Sequence, residues 1–179
     1  TAETVIQTTP VLVETLPSGE IDINLEGWQH NIPEWYQEHT ASGAIVNLGM
    51  NYEGGPQFFM VPKWVADEHG ITSVADLHDN WELFADPEDP SKGVIYSGIM
   101  GWQATDINRV KIQAYGLDPY YNALSPGSAP ALEATFVTAQ QNRQPVVGYY
   151  WSPTSLMGSY EWQVLEEPPY TEDCWTSVS

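Results

Sequence analysis

The stretch Pro145-Val-Val-Gly-Tyr-Tyr-Trp-Ser-Pro153 predicts a buried β-strand that enters a loop at its last two residues. A short apolar and aromatic run that stops at a proline-containing loop is typical of a strand. Residues 129–142, just before it, space their apolar side chains as a helix does, and residues 162–165 predict a last strand. The chain around this stretch therefore alternates helices and strands.

The same alternation extends toward the N-terminus. Strands are predicted at residues 93–97 and 120–124, with a helix at 105–115 between them. Further upstream, two more strands are predicted, one at 20–26, where apolar and polar residues alternate, and one at 44–48. This pattern favours an α/β fold with a mainly parallel sheet, in which ligands bind beyond the carboxyl ends of the strands.

Three of the predicted strands end in loops that carry tryptophan, namely Trp28, Trp102 and Trp151. The chain holds eight Trp and ten Tyr, so either an aromatic site or an aromatic core is expected. A quaternary ammonium offers a host no hydrogen bond, but its diffuse charge and its methyl groups both suit aromatic faces, at about 2 kcal/mol for each desolvated ring. Tyr149 and Tyr150 alternate across their strand, so one of them is expected to face such a cage.

The composition argues against several other functions. With 5 Lys and Arg against 24 Asp and Glu, the net charge of −19 disfavours nucleic acid and anionic membranes as partners. No run of about 18 apolar residues is present, so no segment is predicted to insert into a membrane. The single cysteine, Cys174, cannot form an internal disulfide, and no Cys/His spacing predicts a metal site. No catalytic motif is recognisable, so neither enzymatic activity nor a cofactor is predicted.

Several segments, taken in order, resemble the glycine betaine/proline-type substrate-binding proteins of osmoprotectant ABC importers. Gly148-Tyr-Tyr-Trp-Ser-Pro153 is similar to that family's hinge-side signature, and Gly98-Ile-Met-Gly-Trp102 is similar to its second Trp loop. Ser18-Gly-Glu-Ile-Asp22, which leads to Trp28, is similar to the first Trp loop. The likeness extends over nearly the whole chain, and the ordered set of segments carries it.

The resemblance implies a periplasmic-binding-protein type II fold, with two lobes of three-layer α/β/α architecture that close on a ligand. By that likeness, residues 1–56 and 148–179 belong to lobe one, and residues 57–147 form lobe two. Family members are considerably longer, so the chain is expected to be truncated at both ends. Lobe one would then be incomplete.

The resemblance also implies the ligand-binding residues. Trp28 and Trp151 would face Trp102 across the cleft between the lobes. Thr154 stands where the family often has a histidine for the ligand carboxylate, and its hydroxyl could donate one uncharged hydrogen bond. Separately from the resemblance, the spacing places Glu26 two residues from Trp28 and on the same face of the predicted strand, where it would favour a cation without a carboxylate, such as choline.

The implied function is extracytoplasmic capture of glycine betaine or a related quaternary-ammonium solute, in the periplasm or outside the cell. The protein would deliver this ligand to the membrane permease of an ABC importer. The alternative is an aromatic platform that binds or acts on carbohydrate, because tryptophan faces also suit sugar rings. The α/β pattern and the lack of recognisable paired carboxylates argue against that alternative.

Overall fold

The computed structural model describes residues 2–169 and 171, and the chain divides into two compact units. Unit 1 comprises Thr1–Glu53 and Gly101–Ala104, and unit 2 comprises Gly54–Met100 and Thr105–Ser179. Cys174 lies outside the described residues.

Unit 1 is built on two helices, α1 (Thr9–Ser18) and α2 (Pro33–Ala41). Each helix has a proline in its first turn, where the missing N–H would have had no helical partner. The Trp35 indole of α2 donates a hydrogen bond to the Val13 carbonyl of α1 at 3.0 Å. That contact ties the two helices together.

The two strands predicted in this part of the chain do not form. Residues 20–26 and 44–48 have irregular backbone, and neither segment joins a ladder among the described residues. Their apolar side chains stay exposed, with Leu25 at 74% and Leu48 at 81%. The prediction from periodicity is wrong here because a strand needs a neighbour for its N–H and C=O groups, and periodicity does not supply one.

Unit 2 contains a five-stranded sheet in the order β3-β2-β4-β1-β5. β2 is parallel to β3 and to β4, whereas β1 is antiparallel to β4 and to β5. Four of the five strands therefore run in one direction, although two of the four pairings are antiparallel. The predicted α/β fold is confirmed, with a mixed sheet. The strands are β1 (Gln57–Pro62), β2 (Gly93–Tyr96), β3 (Tyr121–Leu124), β4 (Gly148–Trp151) and β5 (Trp162–Val164).

The described residues also form the helices α3 (Lys63–His69), α4 (Gln103–Ala114), α5 (Ala129–Asn142) and α6 (Ser155–Ser159). The predicted bounds of α5 are confirmed at both ends. Ser128 caps its first turn by accepting a hydrogen bond from the Ala131 N–H at 3.3 Å. Two 3₁₀ segments, Val74–Leu77 and Trp81–Phe84, lie between α3 and β2.

The core of unit 2 lies on both faces of the sheet, because residues 58–62 of β1 are all buried and successive residues of a strand point to opposite faces. Phe59 of β1 and Phe136 of α5 are both fully buried. Gly148 allows β4 to approach β2 closely, since a Cβ at this position would lie 2.4 Å from the Tyr96 carbonyl oxygen. This close contact places the last residue of β2 beside the first residue of β4.

The sheet also bears on the predicted lobes. β4 and β5 both pair with β1, so residues 148–164 lie in the same sheet as residues 57–62. Within the described residues, this segment groups with unit 2. The assignment of residues 148–179 to lobe one stays a prediction drawn from the resemblance.

Candidate ligand-binding site

Three aromatic side chains meet where β4 ends. The Trp151 ring stacks on the Tyr150 ring, with centroids 4.4 Å apart and planes inclined by 24°. The centroid of the Tyr149 ring lies 6.1 Å from that of Trp151. Both tyrosines are buried, whereas Trp151 is half-buried. Trp151 is therefore the member of this cluster that offers the most surface to a ligand.

Phe136 supports the cluster from α5. Its ring meets the Tyr150 ring edge-on, with centroids 5.6 Å apart. Burial raises the pKa of the Tyr150 hydroxyl to about 12, and the negative charge of Glu133 adds to the shift. Tyr150 is thus a neutral hydrogen-bond donor at physiological pH. The Tyr149 hydroxyl donates to Gln57 Oε1 at 2.7 Å, and which tyrosine faces a ligand stays a prediction.

Thr154 has a structural task at the start of α6. Its Oγ1 accepts a hydrogen bond from the Met157 N–H at 3.3 Å, which satisfies one of the free donors of the helix. The hydroxyl hydrogen of Thr154 is not used by this bond, so the side chain can still donate to a ligand oxygen. The predicted role and the capping role are therefore compatible.

The loop between β2 and α4 is held by hydrogen bonds to the helix. Asn108 Nδ2 donates to Ser97 Oγ at 3.3 Å, and both side chains are buried. Thr105 Oγ1 donates to the Ile99 carbonyl at 2.6 Å. Trp102 is half-buried and directly precedes α4. The local geometry near Trp102 is thus specified by polar contacts that the sequence motif did not reveal.

Trp28 does not follow a strand, so the prediction that all three tryptophans share one topological position is wrong for this residue. It precedes a short 3₁₀ helix, Gln29–Asn31. Its Nε1–H donates to Glu26 Oε1 at 3.2 Å, and the Tyr52 hydroxyl donates to the same oxygen at 3.2 Å. Desolvation, reinforced by the charge of Glu26, raises the pKa of the Tyr52 hydroxyl.

Tyr52 is the partner that sequence reasoning missed. It lies 26 residues from Glu26, and no periodicity links the two positions. The sequence did place Glu26 beside Trp28, although the contact forms in a segment of irregular backbone rather than along a strand. Trp28 and Trp102 belong to unit 1 and Trp151 belongs to unit 2, so a single cage of all three stays a prediction.

Unit 2 also contains a cavity of about 400 Å³ that none of the six predicted ligand-binding residues lines. The residues that line it are Lys63, Trp64, Gln140, Gly158, Ser159, Tyr160 and Glu161.

Among residues 2–169 and 171, no group of three or more His, Cys, Asp and Glu could hold a metal ion. No helix in the described part of the chain is long and apolar enough to cross a membrane.

The family model OpuAC, the substrate-binding domain of ABC-type glycine betaine transport systems, matches residues 1–175. The chain is 23% identical over 170 residues to the trimethylamine N-oxide-binding protein of Pelagibacter ubique. That match covers 90% of this chain and 52% of the relative, so the chain spans about half the length of that protein.

Solved structures share the fold. The glycine betaine/L-proline-binding protein of Borrelia burgdorferi matches with a TM-score of 0.70 and 24% identity, over 90% of this chain and 56% of that one. Lactococcal OpuAC, in its closed conformation complexed with glycine betaine, matches with a TM-score of 0.68 and 20% identity, over 93% and 59% of the two chains. The periplasmic-binding-protein-like fold expected from the sequence is thereby confirmed.

Proposed function

Because this chain belongs to the OpuAC family, the substrate-binding domains of ABC-type glycine betaine transport systems, we propose that it captures glycine betaine or a related quaternary-ammonium solute. The family match over residues 1–175 is the observation that carries the proposal. In this role the chain works in the periplasm or outside the cell, associated with the membrane through its transporter. It delivers its ligand to the permease and catalyses no reaction.

The aromatic cluster at the end of β4 supports this function chemically. A methylated ammonium gains about 2 kcal/mol from each aromatic face that it meets after losing water. Trp151 is half-buried and is backed by the buried ring of Tyr150. A ring held in this way loses little side-chain freedom on binding, which favours affinity.

The location of the cluster in the sheet supports the proposal as well. β2 and β4 are adjacent and parallel, and the last residue of β2, Tyr96, pairs with the first residue of β4, Gly148, so β4 continues past the end of β2 toward the same edge of the sheet. Ligands of open α/β sheets bind beyond this carboxyl edge. Residues 97–100 follow β2 there, and Trp151 ends β4 there.

The names of the relatives point to one ligand chemistry. Trimethylamine N-oxide and glycine betaine both carry a trimethylated nitrogen, the group that aromatic faces recognise. In the proposed site, Trp28, Trp102 and Trp151 contact this group, Tyr149 or Tyr150 lines it, and Thr154 donates to a ligand oxygen. The carbohydrate-binding alternative has no support from the family match.

Isothermal titration of the purified chain with glycine betaine, choline, carnitine and proline tests the proposal. We expect heat of binding with at least one methylated ammonium, at a Kd on the order of micromolar. The Trp102→Ala and Trp151→Ala variants should each lose about tenfold or more in affinity. Trp81→Ala, which removes a half-buried tryptophan outside the proposed site, is the matched control.

Circular dichroism of each variant separates lost binding from lost folding. Two results would contradict the proposal: no heat with any of the four ligands, or unchanged binding by folded Trp102→Ala and Trp151→Ala variants.

A further inference from the structure

The contacts of Glu26 set it apart from the other acids of unit 1. One of its carboxylate oxygens, Oε1, accepts hydrogen bonds from the Trp28 indole and the Tyr52 hydroxyl, both at 3.2 Å. The second oxygen, Oε2, accepts no hydrogen bond from any described residue. Glu26 is exposed, whereas Trp28 and Tyr52 are half-buried. The carboxylate is therefore positioned on one side and accessible on the other.

No lysine or arginine in its own part of the chain neutralises Glu26. Residues 1–53 contain eight Asp and Glu and no Lys or Arg. The two donors to Glu26 are neutral groups, so the hydrogen bonds orient the carboxylate without cancelling its charge. A fixed negative charge thus lies at the edge of the Trp28 indole.

We propose that Glu26, held by Tyr52, makes the Trp28 face selective for an alkylammonium cation that carries no carboxylate. The inference rests on the proposed function, because it assumes that Trp28 contacts the ligand. It narrows the ligand class within that function from quaternary ammonium compounds in general to those with a net positive charge.

The selectivity follows from charge. A cation bound within about 6 Å of the indole centroid comes under the field of the Glu26 carboxylate at the ring edge. A ligand of net charge +1 is attracted by this carboxylate and carries no group that the carboxylate repels. A zwitterion gains the same attraction at its ammonium but suffers repulsion at its own carboxylate. The free Oε2 of Glu26 can additionally accept a hydrogen bond from a ligand hydroxyl, which choline has and glycine betaine lacks.

If Glu26 only held Trp28 and Tyr52 in place, its charge would not affect which ligand binds. A conservative variant that removes the charge tests this. In Glu26→Gln the amide oxygen still accepts from the Trp28 indole and the Tyr52 hydroxyl, while the charge is lost. Glu20→Gln removes the same charge from an exposed position of unit 1 for which no side-chain contact to Trp28 is found among the described residues. It is therefore the matched control.

The experiment is isothermal titration of wild-type chain, Glu26→Gln and Glu20→Gln with choline and with glycine betaine, at low and at physiological ionic strength. We expect the wild type to bind choline more tightly than glycine betaine. Glu26→Gln should weaken choline binding about twofold to fivefold, the range of a partly exposed charge pair, and should not weaken glycine betaine binding. Added salt should weaken choline binding to wild type more than to Glu26→Gln.

The outcomes distinguish this inference from the function on which it rests. Tighter binding of glycine betaine than choline by the wild type would overturn the inference and leave the proposed function standing. If the ratio of choline affinity to glycine betaine affinity changed equally in Glu26→Gln and Glu20→Gln, the inference would also be overturned and the proposed function would stand. Failure of the wild type to bind either ligand, or any other methylated ammonium, would overturn both.

Discussion

Tyr150 and Trp151 are consecutive residues of β4, yet their rings stack with centroids 4.4 Å apart. Successive side chains of a regular strand point to opposite faces of the sheet, so this contact requires a ring to lean along the chain where the strand ends. Phe136 of α5 packs against the Tyr150 ring from another direction. The aromatic cluster is thus built from one strand end and one helix, and its order depends on both.

The Phe136 side chain should be the main support of this cluster. It is fully buried and meets the rings of Tyr96, Tyr150 and Trp162. Phe136→Ala should lower the free energy of unfolding by about 3–5 kcal/mol, because it leaves a cavity in the core. Urea unfolding measures this change, and half-buried Val137→Ala on the same helix is the control. Similar losses in the two variants would contradict the prediction.

Gly148 should tolerate no side chain. An added Cβ would lie 2.4 Å from the Tyr96 carbonyl oxygen and 2.9 Å from Phe136 Cζ. Gly148→Ala should therefore cost about 1–3 kcal/mol of stability, through overpacking between β2 and β4. Gly127→Ala is the matched control, because nothing lies within 4 Å of its added Cβ. Thermal unfolding of both variants tests the contrast, and an equal shift in Tm would contradict it.

Tyr150 should make the protein sensitive to alkaline pH. Its pKa rises from an ordinary 10.0 to about 12 in the folded chain, because burial disfavours the phenolate. A raised pKa means that the stabilising contribution is complete below pH 10.0 and is lost as the pH rises toward about 12. Unfolding followed across this range should show a smaller loss of stability in Tyr150→Phe. The exposed variant Tyr120→Phe should behave as the wild type.

Asp76 should contribute stability that disappears in acid. Its Oδ2 accepts from the N–H groups of Thr72 and Ser73, at 3.0 and 2.8 Å, as part of a capping box. The hydrogen bond from the Thr72 backbone is the largest cause that holds the pKa of Asp76 below its ordinary 3.8. The stabilisation is therefore present above pH 3.8 and is lost as the pH falls through the folded value.

The variant Asp76→Asn tests this prediction directly. At neutral pH it should lose at most about 1 kcal/mol, since the cap lies near the solvent. The difference from the wild type should shrink as the pH falls below the ordinary pKa of aspartate. Asp79→Asn, at an exposed position three residues later, is the control. A difference from the wild type that does not change with pH would rule out the ionised cap as its cause.

Several elements could be predicted from local pattern because their causes are local. The apolar spacing of α5 and the apolar and aromatic run that ends at Trp151 both act within a few residues. The ordered aromatic segments were likewise sufficient to indicate the family, which the match over residues 1–175 confirms. Strand β4 is shorter than predicted, since only Gly148–Trp151 joins the ladder.

Other features depended on contacts between distant residues. The chain pattern alone supports the α/β class, the helix at α5 and the Trp-bearing loops after β2 and β4. Tertiary structure decided that residues 20–26 and 44–48 form no strand, since pairing depends on a neighbour that periodicity cannot supply. It also decided that both tyrosines of β4 are buried and that Tyr52 meets Glu26, because burial and long-range hydrogen bonds depend on how segments pack rather than on how they are spaced.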